Sequence, residues 1–355
     1  MTESRISRRR LLVGGAAAAG VFAMPAKVLS QAPAATPVTP VLIEAAKKEG
    51  KVVWYAAMDL PVSQNVAKNF EAKYPGIAVR IERTGSERQF QRLAQEYAAK
   101  IYAPDIINAS DAAHFVAWKR NGWLAPFVPE EVARFYPPEH RDADGLYATS
   151  RVYVSSLGYN TNLVKAEDAP RSFMDLLHPR WLGKMVKAHP AYSGTIMTAT
   201  FQIARELGWE YFEKLGKQKV LQVQSSVDPP KKLALGERAV MADGNDFNVI
   251  QFKEAGQPVE VVYPAEGAPL IVCPNAVLKA APNPNAARLF QSYLFSREGQ
   301  QALCDFAAQH SAHPQVTEKP GRTPLAKIKV MKDDPVAVEA QAEEIKARYS
   351  KYFGV

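Results

Sequence analysis

Val52-Val53-Trp54-Tyr55-Ala56-Ala57 is an unbroken apolar run, with Lys51 before it and Met58-Asp59 after it. A short run rich in β-branched and aromatic residues reads as a strand buried on both faces. Pro61 then suits the first turn of a helix, and Val62, Val66 and Phe70 recur along one helical face. Tyr74-Pro75-Gly76 stops that helix, and Ile77–Ile81 is a second strand. Thr84-Gly85-Ser86 turns into a helix with Phe90, Leu93 and Tyr97 inward. Asp105-Ile106-Ile107 is a third strand, and Asp111 opens a helix through Trp118. Strands alternating with helices predict a parallel α/β sheet.

Downstream, Pro126, Pro129, Pro137-Pro138 and the polar stretch Glu139–Gly145 break the rhythm. Tyr147–Tyr159 alternates like a long strand and is read as the crossing into a second lobe. A second α/β set follows: the strand Met185–Ala188, helices over Gly194–Leu207 and Trp209–Leu215, and strands at Ala239–Ala242 and Val259–Tyr263. Ile271-Val272-Cys273 is read as crossing back. Helices are expected over Pro284–Phe295 and Arg297–Ala308, and a last one carries Val338, Ala342, Ile345, Tyr349 and Tyr352 as its apolar stripe. A chain of 355 residues accommodates about two such units.

Upstream, Ser7-Arg8-Arg9-Arg10-Leu11-Leu12 precedes an Ala/Gly-rich apolar stretch over Val13–Ala23. The pattern reads as an export signal of the twin-arginine type over residues 1–32, with cleavage after Ala26 or Ala32. Its apolar part is shorter than the ~20 residues a membrane-spanning helix needs. The Pro-rich residues 33–41 read as a tether. Residues 1–32 carry half of the formal net charge of +8, so the remainder is too mildly basic to argue for nucleic acid. Cys273 and Cys304 are too few for a disulfide framework or a cysteine-based metal cluster.

No nucleophile elbow (G-x-S-x-G), zinc-protease H-E-x-x-H, P-loop, dinucleotide fingerprint or haem C-x-x-C-H is found. The expectation is therefore a binding protein with no catalytic residue, no metal site and no cofactor. His310 and His313, three residues apart beside Pro314, are read as solvated loop residues. His114 is read as partner-satisfied or exposed.

Open α/β sheets bind ligands in loops at the C-terminal ends of their strands. Asp59 follows the first strand, Ser86 the second, and Ser110 the third. Tyr192-Ser193-Gly194-Thr195 opens a helix in the second set. Small hydroxyl residues and glycine at a helix start present backbone N–H groups to an anion, although the same residues also serve as plain caps.

Several short stretches stand out in order from about Lys51 to Gly354: Asn69–Ile77 (NFEAKYPGI), Pro104-Asp105-Ile106, Gly158–Asn162 (GYNTN), Pro170–Leu176 (PRSFMDL), Pro179–Lys184 (PRWLGK), Ser296–Gln300 (SREGQ) and Tyr352-Phe353-Gly354. In that order they resemble the solute-binding proteins of bacterial ABC importers, in the ferric-iron-binding and thiamine-binding branch. The resemblance implies an α/β, two-lobed periplasmic-binding-protein fold with crossing strands as hinge and a ligand cleft between lobes. The first lobe is expected over 42–150 plus 272–325 and the second over 151–271 plus 326–355. Ferric members of the family use a tyrosine pair in a second-lobe loop; the corresponding stretch here, Asp243–Asn248, has none. Ser193-Gly194-Thr195 and Ser225-Ser226 match the loops that hold the anion in such proteins, and Arg151 lies on a crossing strand.

The expected function is a monomeric periplasmic receptor for a small anionic or zwitterionic solute such as a phosphorylated compound. It would deliver that solute to an inner-membrane ABC permease. Arg151 would supply charge, and Ser193, Gly194, Thr195, Ser225 and Ser226 hydrogen bonds. Asp59, Ser86 and Ser110 would meet the solute from the first lobe, and Asn245 and Asp246 would orient its hydroxyl or amine groups. Trp54, Tyr55 and Tyr192 are candidates for stacking on a ring, or for the core. Ferric iron, or a cation such as thiamine or a polyamine carried by Asp59, Asp111, Asp243 and Asp246, is the alternative within the class. An exported cofactor enzyme and a receptor that feeds a sensor are the alternatives outside it.

Overall fold

The computed structural model describes residues 32–355, so the export signal expected over 1–32 lies, but for Ala32, outside the described residues. The chain begins with α1 (Pro40–Glu49), β1 (Lys51–Ala56), α2 (Leu60–Lys73), β2 (Ala78–Arg83), α3 (Ser86–Ala98), β3 (Ile106–Asn108), α4 (Ala113–Arg120) and α5 (Glu130–Phe135). It continues through β4 (Ala148–Val154), β5 (Leu157–Asn160), β6 (Met185–Ala188), α6 (Gly194–Leu207), α7 (Trp209–Gly216), β7 (Leu221–Val223) and α8 (Asp228–Ala234). After these come β8 (Val240–Met241), α9 (Asp246–Glu254), β9 (Val259–Val262), β10 (Ala268–Val277), α10 (Pro284–Phe295), α11 (Arg297–Ala307), β11 (Val330–Met331) and α12 (Pro335–Phe353).

The strands form two sheets, one per lobe. The first has the order β11-β10-β3-β1-β2, with β4 also on β10; the second has the order β7-β6-β8-β5-β9. β1 runs parallel to both β2 and β3, placing Trp54 opposite Ile81 and Ile106. Trp54 is fully buried and meets Phe290 edge-on, and Phe290 in turn meets Phe70. Each such side chain contributes roughly 1.5–3 kcal/mol by leaving water. This apolar face of the first sheet is covered by α2 and α10. The second lobe has its own core around Phe173, Trp181, Phe212 and Tyr349.

Tyr147–Tyr159 is two strands rather than one. β4 pairs with β10 in the first sheet and β5 with β8 and β9 in the second. The switch falls on two serines: Ser155 N–H donates to Pro269 O at 2.9 Å, and Ser156 N–H to Gly244 O at 2.8 Å. The pairing thus places the first crossing between Ser155 and Ser156, against the expected boundary at 150/151. β10 is already in the first sheet at Ala268, ahead of the Ile271–Cys273 stretch read as the return. A third crossing follows β11, whose partner is β10, and leads into α12, which packs on α6 and α7 and also on α4 of the first lobe.

The stretch expected as a tether is mostly exposed but is tied down at Thr36 and runs into a helix. Thr36 N–H donates to Val128 O at 2.9 Å, and α1 starts at Pro40. Thr39 caps this helix by accepting from Leu42 N–H, and Gly50 ends it at φ 70°, a conformation that suits glycine.

Candidate solute-binding site

The C-terminal ends of β1, β2 and β3 face the N-terminal end of α6 across the gap between the lobes. On the first-lobe side, Ser86 begins α3, and Ser110 N–H donates to its Oγ at 2.8 Å. Arg151 reaches this turn from β4. Its Nη2 donates to Ser110 Oγ at 3.2 Å and to Asn108 Oδ1 at 3.4 Å, while its Nε is buried without a partner. Arg151 is 1% exposed, so its charge lies in the interior. A buried cationic donor lacking an acceptor is costly. Two residues along, Tyr153 Oη lies 2.7 Å from Thr195 Oγ1. Burial keeps the Tyr153 phenol protonated.

On the second-lobe side, Ser193 caps α6 by accepting from Ile196 N–H at 3.5 Å. The amides of Gly194 and Thr195, in the first turn, have no acceptor within the helix. Gly194 is required by the approach of the first lobe, because a Cβ there would collide with the Asp111 carboxylate. Asp111 accepts from the His114 ring at 2.7 Å, and Glu87 lies 3.2 Å from the other ring nitrogen. Burial opposes a charge on His114, but the two carboxylates outweigh it and hold the ring at about 10, so it is an imidazolium at neutral pH.

Two further contacts close the gap. Asn248 Nδ2 donates to Asp59 Oδ2 at 2.9 Å and Arg88 Nη2 to Gln224 Oε1 at 2.8 Å. Asn245 Nδ2 donates to Asn248 Oδ1 at 2.9 Å, and its own buried Oδ1 has no partner. The structure thus gathers Ser86, Ser110, Arg151, Ser193, Gly194 and Thr195 at one end of the interface, with Asp59 and Asn245 meeting through Asn248. Asn248, Arg88, Asn108 and Tyr153 escaped the sequence reading. Asn248 lies one helical turn from Asn245, a spacing that would have flagged it.

Other candidates have structural partners. The Asp246 carboxylate is fully buried against Arg322 at 2.7 Å and also receives the Phe247 N–H and the Tyr263 hydroxyl. Asp243 is spent on Lys187, itself buried; desolvation pushes Asp243 up and Lys187 down, against their mutual attraction. Ser225 holds the start of α8, where Ser225 N–H donates to Asp228 and Ser225 Oγ accepts from Val227 N–H, with Ser226 half-buried beside it. Tyr192 is 41% exposed, and Gly85 packs toward its carbonyl. Trp54 and Tyr55 are core residues. His310 and His313 are buried rather than solvated, because Glu318 and Glu131 give each ring an acceptor. Among the described residues, no group of three or more His, Cys, Asp or Glu is disposed to hold a metal ion, and both cysteines are buried and free.

Two α/β lobes joined by three crossings, with polar side chains buried where they meet, are the architecture of a two-lobed solute-binding protein. A family model described as bacterial extracellular solute-binding protein matches residues 101–334, and the chain belongs to that family, the substrate-binding component of ABC transporters. The fold matches the periplasmic binding protein AfuA of Actinobacillus pleuropneumoniae with fructose-6-phosphate bound, with TM-score 0.79 and 23% identity over 86% of this chain and 99% of that one. It also matches iron-bound HitA of Pseudomonas aeruginosa, with TM-score 0.74 and 24% identity over 85% and 99%. In sequence, a probable ABC transporter periplasmic-binding protein of Sinorhizobium fredii is 21% identical over 78% of each chain. No helix among the described residues is long and apolar enough to cross a membrane.

Proposed function

We propose that this protein captures a small anionic or zwitterionic solute, foremost a phosphorylated compound, between its lobes and delivers it to an inner-membrane permease. The observation that carries the reading is Arg151, an interior guanidinium with an unpartnered Nε beside Ser110 and near the start of α6. A solute oxygen would satisfy that donor, and the first amides of α6 would add hydrogen bonds to the same anionic group. The AfuA complex with fructose-6-phosphate is in keeping with this chemistry. Iron, as in HitA, fits less well: the 243–248 stretch lacks tyrosine, and its acids are taken by Lys187 and Arg322. The protein acts in the periplasm as a monomer and is exported by the twin-arginine route.

The test is thermal melting of the mature protein against fructose 6-phosphate, other sugar phosphates, phosphonates, inorganic phosphate, ferric citrate, thiamine and polyamines. A ligand at 100 times its Kd adds about 2.7 kcal/mol, a shift of several degrees. A shift confined to phosphorylated compounds, and lost in Arg151→Gln, is the expected result. A shift with ferric citrate or with the cations alone would replace the anionic reading.

A further inference from the structure

We propose that the C-terminal helix α12 is a closing latch: it is built into the second lobe and holds the first lobe through ion pairs that form only when the lobes meet, so that the closed state is populated without solute.

Its anchorage in the second lobe is apolar and tight. Tyr349 is fully buried, stacks on Phe353 with ring centroids 4.2 Å apart, and donates its hydroxyl to Gln222 Oε1 at 2.8 Å. Gly216 of α7 lies so close to the Tyr352 carbonyl that a Cβ would not fit. The earlier turns of α12 face the first lobe. Arg120 of α4 grips Glu339 through both nitrogens, at 2.6 and 3.1 Å. Lys346 Nζ lies 3.0 Å from Glu87 Oε2. Between these pairs, Val338 and Ile345 fill an apolar junction with Ala113 of the first lobe and Met197 and Phe201 of α6.

The latch is coupled to the binding interface. Glu87 holds Lys346 with one oxygen and the His114 ring with the other, and His114 holds Asp111, whose carboxylate rests on Gly194. Separation of the lobes would strip Lys346 from Glu87 and Asp111 from the start of α6 together. Glu343, 2.9 Å from Lys346, would keep that lysine paired in the open state, which limits the strength of the latch. The pairs are positioning groups for closure, and none need touch solute.

The experiment is a distance measurement on the ligand-free full-length mature protein, so it is independent of the solute's identity. Cysteines introduced at exposed Lys48 and Lys165, one per lobe, carry the probes, because Cys273 and Cys304 are buried. Wild type is expected to show a short-distance population. Arg120→Glu and Glu339→Arg should each lower the closed-to-open ratio by about threefold or more, the scale of an exposed pair turned repulsive. The double reversal should restore the ratio, and Lys346→Glu should lower it further, while melting temperatures stay within a few degrees. Single reversals that leave the distribution unchanged or enrich the short distance would overturn the latch. So would a double variant that fails to recover, or a wild type with no short-distance population.

Discussion

Tyr153 Oη and Thr195 Oγ1 lie 2.7 Å apart, joining the crossing strand β4 of the first sheet to the first turn of α6 in the second lobe. The same strand face carries Arg151, so one short segment supplies both a fixed link to the second lobe and the interior charge beside it. If solute binds at Arg151 as proposed, the contact between the lobes forms beside it, and the binding energy of a solute that touches both lobes favours the closed state.

Arg151→Lys keeps the charge but loses the planar fork, and should weaken solute binding by about 10- to 100-fold, the range of a charge-assisted hydrogen bond. Titration calorimetry with whichever solute shifts the melting temperature measures it. Unchanged affinity would remove Arg151 from the site.

Gly194→Ala separates closure from stability. Gly194 is the first residue of α6, where alanine suits the helix at least as well as glycine, yet here the added Cβ would strike Asp111 on closure. The expected outcome is unchanged or slightly raised melting without solute, a larger radius of gyration by small-angle scattering, and at least tenfold weaker binding. A compact variant with normal affinity contradicts the close approach.

Lys187 and Asp243 are both 1% exposed, and Asp243 Oδ1 has no hydrogen-bond partner. Lys187→Met leaves a buried carboxylate alone and should cost about 3–5 kcal/mol in urea unfolding. Lys187→Met combined with Asp243→Leu should recover most of that loss. A double variant as unstable as the single one would mean that packing, not the stranded charge, sets the cost.

Asp333, on the third crossing, has its carboxyl pushed up to about 7 by burial, with Asp111 nearby adding to the effect and the Asp334 N–H opposing it. A carboxyl whose folded value lies above its ordinary one stabilises the native state when protonated. That stability is present near pH 4 and is lost as pH rises to about 7, with no further change above. Asp333→Asn should thus melt higher than wild type at pH 8 and match it at pH 4. Parallel melting curves from pH 4 to 8 would show that Asp333 titrates normally.

The first sheet was legible because its order depends on local pattern. The apolar run at Val52, the helical recurrence of Val62, Val66 and Phe70, and the stop at Tyr74-Pro75-Gly76 each act within a few residues. Helix α1 was missed because Pro33, Pro37 and Pro40 looked like a flexible stretch. Pro40 in fact sits in the first helical turn behind a Thr39 cap, where its missing N–H costs nothing. Ser86, Ser110 and Ser193–Thr195 could be placed at the lobe interface from sequence because turns after strands fall at one edge of a parallel sheet, whatever the distant contacts.

Partner choice followed different rules. Asp246 looked as available as Asp59 in the sequence, yet Arg322, 76 residues away, neutralises it in the interior. His310 and His313 looked solvated until Glu318 and Glu131 folded against them, and α12 read as a second-lobe helix until Arg120 and Glu87 reached it from the first. The sequence by itself determined the elements, their α/β alternation and the turns that face the cleft, because backbone propensity and hydrophobic period are short-range. Only the tertiary structure decided which charges are spent on each other and which, like Arg151, keep a buried donor without a partner. Desolvation and Coulomb energy depend on distance in space, which residue order does not encode.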